Sequence, residues 1–512
     1  MFVCREKGGI YDFARRIFIS FLGLFFLNAC TVGPNYYRPP VVATAKFKEA
    51  KGNAFTHDNK DWKVARPQDI AHRGEWWRVF NDSRLNELEE QLNQYNQNIA
   101  NNLANYSQSL AIVDEARASY FPTLSGNFSI TRQKSGGGAT SFLNGAGGGS
   151  STTSTGAGLG LSTISTNYIG SLNANWEPDI WGLVRRTVEA DASVAQANQA
   201  LLAATRLSAQ GALAQYYFEL VALDRDQYIL DLTVAGYKAT LKLTRNQYAA
   251  GVASRADIVQ AQSLVETAEA QAINNHILRA QYEHAIAVLI GRPPASFALA
   301  PKLLKLKPPV IPVTVPSVWL ERRPDIAQAE RLLQQTNAQI GIATAAYYPV
   351  LDLTGALNAA APTLGKLFSV PTIGWLYGTQ LAEAIYDGGL RNATVRAAKA
   401  GYMAQVAAYR QTVLTAFQDV EDNLVSLRML NQQAVAQNKA AASSKKALAL
   451  VINQYKQGTV PFSSVITAQI SAYTAEKNAY DTAGLQMTAA VGLIKALGGG
   501  WDVSEIRYIK GV

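Results

Sequence analysis

Two related stretches decide the fold of this chain: Gln247-Tyr248-Ala249-Ala250-Gly251-Val252-Ala253-Ser254 in the first half and Gln454-Tyr455-Lys456-Gln457-Gly458-Thr459-Val460-Pro461 in the second. Each stretch lies between two long helical runs. Glycine suits the left-handed position that follows the end of a helix, because it has no Cβ to clash there. Gly251 and Gly458 therefore predict that in each half a helix ends, turns and sends a second helix back.

The offset that aligns these two stretches also aligns residues far from them. It pairs Gly182 with Gly389, Thr187-Val188 with Thr394-Val395, Ala261-Gln262 with Ala468-Gln469, and Thr267-Ala268-Glu269 with Thr474-Ala475-Glu476. The length of 512 residues would by itself suit roughly two to four ordinary domains. The repeat instead indicates an internal duplication, with two copies of one long unit.

The helices around the first stretch are unusually long. Residues 183–249 contain no proline and predict one helix, which extends over roughly 100 Å at 1.5 Å per residue. A return helix is predicted over 255–290, and an opening helix over 83–118 is ended by Phe121-Pro122. Because a globular core needs no rod of this length, the expected fold class is mainly α, built on duplicated long helical hairpins.

Two segments of the first repeat change to a period of two residues. Apolar residues alternate with Ser, Asn and Thr over 124–131 and again over 167–176, which predicts two strands. Such strands fit either a half-buried soluble sheet or a membrane barrel with a polar lumen. The polar face is almost all Asn and Ser, and Trp176 and Trp181 stand at its end, which favours the barrel. Residues 135–160, rich in Gly, Ser and Thr, predict a long exposed hairpin loop.

The chain begins like a bacterial export signal. Arg15-Arg16 precedes an apolar run over 17–27, which is too short to span a bilayer as a mature helix. Leu27-Asn28-Ala29-Cys30 follows and resembles a lipobox, in which the signal is cut before a cysteine that then carries lipid. The alternative is an ordinary secretory signal with a chance cysteine. Thr31 follows Cys30 without an Asp, which in lipoproteins of this kind favours the outer membrane.

The predicted organisation begins with a signal peptide over 1–29 and an irregular segment over 30–82. A first repeat follows over 83–292, with strands near 122–132 and 166–177 and a hairpin over 183–290. A Pro-rich linker over 293–318 leads to a second repeat over 319–503, with strands near 350–358 and 375–386 and a hairpin around Gly458, and a tail covers 504–512.

Several function classes find no support in the sequence. The net charge of +9 is scattered without a basic block, so no nucleic-acid partner is expected. The only cysteine besides Cys30 is Cys4, inside the predicted signal, which leaves no thiol for metal binding or catalysis. His276 and His284 have no evident third ligand and are expected at the surface. We therefore expect no enzyme activity, no metal and no cofactor.

Five motifs together carry a family resemblance. They are Cys30-Thr31-Val32-Gly33-Pro34, Trp76-Trp77-Arg78-Val79-Phe80 with Asp82 and Leu85, Arg322-Arg323-Pro324-Asp325-Ile326 with Ala329-Glu330, Tyr347-Tyr348-Pro349, and Leu497-Gly498-Gly499-Gly500-Trp501. From residue 30 to about 503, the chain resembles a TolC-like outer-membrane efflux protein of the lipoprotein branch that serves resistance-nodulation-division pumps.

That resemblance implies a homotrimer in the outer membrane of a Gram-negative bacterium, anchored by lipid on Cys30. Four strands from each chain would close a twelve-stranded barrel, and the helices would continue it into the periplasm as a tunnel. The implied partners are outer-membrane lipid, a periplasmic membrane-fusion adaptor and an inner-membrane resistance-nodulation-division pump. Closure by three chains would also solve the problem of four strands alone, whose unpaired edges cannot face lipid.

The resemblance also implies a site at the two hairpin turns, where the adaptor docks and the tunnel is gated. The residues at these tips are Gly251, Val252, Ala253, Ser254, Gly458, Thr459, Val460 and Pro461. The alternative is that the turns are only helix ends. Asp257 is a candidate gate residue, although the second copy has Ser464 and Thr467 at comparable places.

Three functions follow from these patterns. The first is a passive exit duct for small toxic compounds in a tripartite efflux pump. The second is the same duct in a protein or peptide secretion system. The third is a structural envelope lipoprotein that conducts nothing, against which the amphipathic strands argue.

Overall fold

The structure, a computed structural model, describes residues 31–41, 47–49, 75–135, 163–303, 306–309, 311, 323–501 and 503–507. The predicted signal, the lipidation candidate Cys30, nearly all of the Gly-rich loop and part of the Pro-rich linker lie outside these residues.

The described helices repeat in length between the two halves. They are α1 (Ser83–Tyr95), α2 (Gln97–Ala118), α3 (Leu183–Ala249), α4 (Arg255–Leu289), α5 (Pro324–Ala345), α6 (Leu390–Lys456) and α7 (Phe462–Ala496). Helices α3 and α6 each have 67 residues, α4 and α7 each have 35, and α2 and α5 each have 22. In the described part of the chain, no helix has an apolar stretch long enough to cross a membrane.

Four strands form one antiparallel sheet in chain order. They are β1 (Thr123–Ser135), β2 (Thr163–Trp176), β3 (Val350–Ala361) and β4 (Ile373–Ala382). The mainly α fold with four strands in each chain is thus confirmed. Because β2 pairs directly with β3, the two repeats share a single sheet.

The strand register places apolar residues of all four strands on the same face of the sheet. Gly126, Leu172, Leu357 and Trp375 lie opposite one another in a row across the strands. The adjacent row, on the other face, is Asn127, Ser171, Asn358 and Gly374. Trp375 is 72% exposed and Phe128 is 54% exposed. The apolar face is therefore uncovered in the single chain.

The chain divides into two compact units. Of the described residues, the sheet unit comprises those within 31–35, 112–189 and 338–399, and the helical unit comprises the others. The core of the helical unit includes Trp77, Leu85 and Tyr217, each at most 2% exposed. Asp82, the N-cap of α1, accepts a hydrogen bond of 2.7 Å from the Tyr217 hydroxyl.

In the sheet unit, an aspartate caps the start of each of the two long helices. Asp179 accepts hydrogen bonds from the backbone N–H groups of Val184 and Arg185 at the start of α3. Asp387 stands before α6, where the backbone N–H of Arg391, its side chain and the Gly389 N–H lower the pKa of Asp387 to about 2. These carboxylates satisfy N–H groups that a helix start leaves without partners.

The single opening helix predicted over 83–118 is wrong. The chain leaves the helical conformation at Asn96, between α1 and α2. The Asn96 side chain accepts a hydrogen bond from the Ile99 N–H at 3.0 Å and donates one to the Leu289 carbonyl at 2.7 Å. A short amide side chain that caps the following helix in this way competes with continuous helix.

The last strand also ends earlier than predicted. We expected it to reach residue 386, whereas β4 ends at Ala382. The carbonyl of Ala384 accepts a hydrogen bond from the Arg391 side chain instead of from a neighbouring strand. Tyr386 is 90% exposed.

Candidate functional site

The two turns have the same backbone geometry. In the first, the Gly251 N–H donates to the Tyr248 carbonyl at 2.9 Å and the Val252 N–H donates to the Gln247 carbonyl at 2.8 Å. The second turn repeats both bonds around Gly458, each at 3.0 Å. This pair of bonds defines a Schellman motif. The φ angles of 75° at Gly251 and 71° at Gly458 confirm the left-handed conformation predicted for both glycines.

The returning helices begin differently after the two turns. Ser254 and Asp257 form a capping box at the start of α4, in which the Ser254 Oγ accepts from the Asp257 N–H at 3.2 Å. The Asp257 carboxylate accepts from the Ser254 N–H at 2.9 Å. Helix α7 has Pro461 at its N-cap, with no side-chain hydrogen bond there. Because the sequences differ after the turns, a side-chain cap stabilises the start of α4 but not the start of α7.

Replacing Ser254 by alanine is expected to cost about 1 kcal/mol of local helix stability, because the Asp257 N–H at the start of α4 loses its acceptor, the Ser254 Oγ. Hydrogen exchange of the first turn of α4, followed by mass spectrometry, measures this loss. Ser463→Ala is the matched control, since Ser463 is exposed near the start of α7. Equal exchange in the two variants would contradict the role of the capping box.

Asp257 thus has a local partner in this structure. Its carboxylate also accepts from the Ser254 hydroxyl at 2.9 Å. The second repeat supplies no carboxylate at the corresponding Ser464. A gate at Asp257 stays a prediction, and each chain would contribute one acidic group to it from these two places.

One apolar cluster joins the ends of both hairpins. Tyr455, Phe462 and Val465 of the second hairpin pack with Tyr237 and Leu241 of the first. The rings of Tyr455 and Phe462 lie 5.5 Å apart between centroids. Both turns therefore belong to one packed end of the helical unit, which we name the tip cluster.

A polar contact crosses between the same hairpins. The Gln469 side chain of α7 donates to the Thr240 hydroxyl of α3 at 2.8 Å. By contrast, the Lys238–Glu269 pair lies within the first hairpin, with its side chains 58% and 45% exposed. Exposed pairs of this kind contribute roughly 0–1 kcal/mol. Apolar packing and the buried amide contact therefore hold the two turns together.

The turns present different side chains at the surface. Val252 is 74% exposed and Tyr248 is 47% exposed in the first turn. Tyr455, which corresponds to Tyr248 in the second repeat, is only 7% exposed. The first turn therefore offers apolar surface that the second turn keeps within the tip cluster.

Sequence reasoning missed the residues that join the hairpins. Tyr248 and Tyr455 occupy matching positions, so the tyrosine alone could not show which one is buried. The available signal was Phe462, which stands where the first repeat has Arg255. An aromatic residue in place of a charge after the second turn indicates a position that faces apolar neighbours.

The two histidines considered as metal ligands lie at the surface. His276 and His284 are exposed on α4. Within the part of the chain that the structure describes, no group of three His, Cys, Asp or Glu residues could hold a metal ion.

Known proteins that resemble this chain point to one family. The profile of the outer membrane efflux protein family (OEP) matches residues 88–292 and 315–499. The Pseudomonas putida protein named probable efflux pump outer membrane protein TtgC is 28% identical over 483 residues, which cover 93% of this chain and 94% of TtgC.

Solved outer-membrane channels share the fold over nearly the whole chain. OprN is 26% identical with a TM-score of 0.79, and the match covers 92% of this chain and 100% of the OprN chain. The Neisseria gonorrhoeae channel MtrE, in its open state, is 27% identical with a TM-score of 0.74, and the match covers 93% of this chain and 99% of the MtrE chain.

Proposed function

Because the chain belongs to the outer membrane efflux protein family, we propose that it is the exit duct of a tripartite efflux pump and passively conducts small toxic compounds out of the periplasm. The four-stranded sheet with one apolar and one polar row carries this proposal. In a barrel, the apolar face meets lipid and the polar face lines water. The name of TtgC, an efflux pump component, supports the pump function.

A homotrimer is the assembly that suits this sheet. Strands β1 and β4 are the edges of the sheet in one chain, and each unpaired backbone group in lipid costs several kcal/mol. Pairing β1 of one copy with β4 of the next removes every edge when the ring closes. Three copies give a closed barrel of twelve strands.

The proposed partners meet the tips of the hairpins. A periplasmic membrane-fusion adaptor would dock at Gly251–Ser254 and Gly458–Pro461, and an inner-membrane resistance-nodulation-division pump would supply the energy. The exposed Val252 gives an adaptor an apolar contact in each copy. Transport through the duct needs no chemical step, since opening of the tips and diffusion suffice.

We expect Cys30→Ser to abolish lipid attachment, because serine has no thiol to acylate, while the barrel still inserts. Metabolic labelling with an alkyne fatty acid, followed by mass spectrometry of the N-terminal peptide, measures this change. Cys4→Ser is the control and keeps the label. Retention of label in Cys30→Ser would contradict the assignment of Cys30.

Planar-bilayer recording tests the duct directly. The purified protein is reconstituted, its single-channel conductance is recorded, and its oligomeric mass is measured on the same preparation. Discrete conductance from a trimer supports the duct. A monomer that conducts nothing would instead favour the non-conducting envelope lipoprotein.

A further inference from the structure

In each repeat, the residue just before a 22-residue helix reaches the end of the hairpin's returning helix. Asn96, before α2, donates from Nδ2 to the Leu289 carbonyl at 2.7 Å. Arg323, before α5, donates from Nη1 to the Ala496 carbonyl at 3.2 Å. Leu289 and Ala496 are the last residues of α4 and α7. We name these two contacts the first and second joints.

The first joint is neutral and tightly packed. Gly291 follows α4 with a φ of 70°. A Cβ built on Gly291 would lie 2.3 Å from the Tyr95 carbonyl oxygen. The end of α1 therefore lies directly against the backbone that follows α4, and this contact holds the first hairpin independently of the Asn96 side chain.

The second joint is ionic. Nη2 of Arg323 lies 2.7 Å from Asp325 Oδ2 and 3.1 Å from Asp419 Oδ2, and the Arg323 side chain is only 11% exposed. Burial by itself would lower the pKa of Arg323, but the two carboxylates outweigh it and raise that pKa. One charged side chain thus connects the start of α5 to α6 and to the end of α7.

The second hairpin is closely packed beside this joint. A Cβ on Gly492 of α7 would lie 2.3 Å from Asn423 Oδ1 of α6, so the Asn423 side chain packs directly against the backbone of α7 there. A cavity of about 430 Å³ lies next to Arg323 and is lined in part by Gln215, Asn423 and Lys495. Helices α6 and α7 therefore pack closely against each other, and the cavity lies beside them where Arg323 contacts both helices.

We propose that Arg323 is the positioning residue that fastens the second hairpin to α5 and so sets how far the Gly458 turn stands from the Gly251 turn. This inference rests on the proposed function, since the displacement of that turn is what opens the duct. Asp419 provides the connection to α6, and the Ala496 carbonyl provides the connection to α7. When either connection is lost, the second hairpin moves away from the first, and the distance between the Gly458 turn and the Gly251 turn increases.

Distance measurements between spin labels test the proposal without relying on conduction. Labels are placed at Val252→Cys and Thr459→Cys in a background that carries both Cys4→Ser and Cys30→Ser, and labelled chains are diluted so that each assembly carries one. Double electron–electron resonance then reports the distance between the two turns of the same chain. We expect Arg323→Gln to move the distance distribution to longer values, and Asp419→Asn to move it in the same direction by less.

Lys495→Gln is the matched control, because Lys495 lines the same cavity but its described polar contact is to Ser208 Oγ at 3.2 Å. This control is expected to leave the distances unchanged.

In planar bilayers, Arg323→Gln is expected to raise the ratio of open to closed time on the order of tenfold, the effect of losing a charge-assisted hydrogen bond that one state alone makes. Arg323→Lys, which keeps the charge, restores part of the closed time.

Unchanged distances in both Arg323→Gln and Asp419→Asn would overturn the proposal. If Arg323→Gln does not assemble, the distances in Asp419→Asn decide the result, since that variant retains the Arg323–Asp325 pair. A wild-type protein that is monomeric and conducts nothing would refute the proposed duct, whereas the spin-label distances would still test the joint.

Discussion

Arg279→Ala is expected to lower the free energy of unfolding of the helical unit by roughly 3–5 kcal/mol, the usual cost of removing one partner from a buried ion pair. Arg279 Nε lies 2.6 Å from Asp224 Oδ1, and the Asp224 side chain is 1% exposed. The substitution would leave that carboxylate buried without its cation. The effect should appear as a lower midpoint in urea unfolding of the purified protein followed by circular dichroism.

The size of the effect reflects how many groups depend on Arg279. Its guanidinium also lies 3.2 Å from Glu283 Oε2 and donates to the Leu299 carbonyl at 2.6 Å. Asp224 in turn accepts from the Lys302 N–H at 2.9 Å. Arg279 therefore connects α3, α4 and the segment that follows α4.

Two variants separate this explanation from a general effect of losing charge. Lys238→Ala removes an exposed cation from the Lys238–Glu269 pair and should cost at most about 1 kcal/mol. The double variant Arg279→Met with Asp224→Leu removes both buried charges and should be more stable than Arg279→Ala. If Arg279→Ala costs no more than Lys238→Ala, the buried network does not stabilise the fold.

Gly458→Trp is expected to reduce efflux to that of cells lacking the protein, while trimers and bilayer conductance remain. The φ angle of 71° at Gly458 strains most other residues, tryptophan included, at a cost of roughly 1–2 kcal/mol. A Cβ at Gly458 would meet no atom within 4 Å, so the indole would project outward from the surface to which an adaptor is proposed to bind. Minimum inhibitory concentrations of pump substrates, with trimer yield from the same cells, measure both effects.

The chain offers a control for the backbone strain. Gly388 has a φ of 64°, and a Cβ added there would also meet no atom within 4 Å, but this glycine lies in the sheet unit. Gly388→Trp imposes similar strain away from the turns and is expected to preserve efflux. Gly458→Asn keeps a small side chain that tolerates positive φ and should also transport. Normal efflux in both Gly251→Trp and Gly458→Trp would refute the docking assignment.

The sequence by itself determined the duplication, the two helical hairpins and the four strands. The duplication follows from residues that recur at one offset, the long helices from runs without proline, and the strands from a period of two residues that strand geometry imposes. The glycines of the two turns were equally readable, because a left-handed position excludes most other residues at that point. Repetition of the same signals in both halves strengthened each prediction.

Only the tertiary structure decided the break at Asn96, the ionic joint at Arg323 and the burial of Tyr455. Asn96 finds the Leu289 carbonyl 193 residues away in sequence, and Arg323 finds Asp419 and Ala496 at separations of 96 and 173 residues. The sequence shows which side chains can donate or accept a hydrogen bond. Their partners are set by which distant helices pack side by side, and no local period records that information.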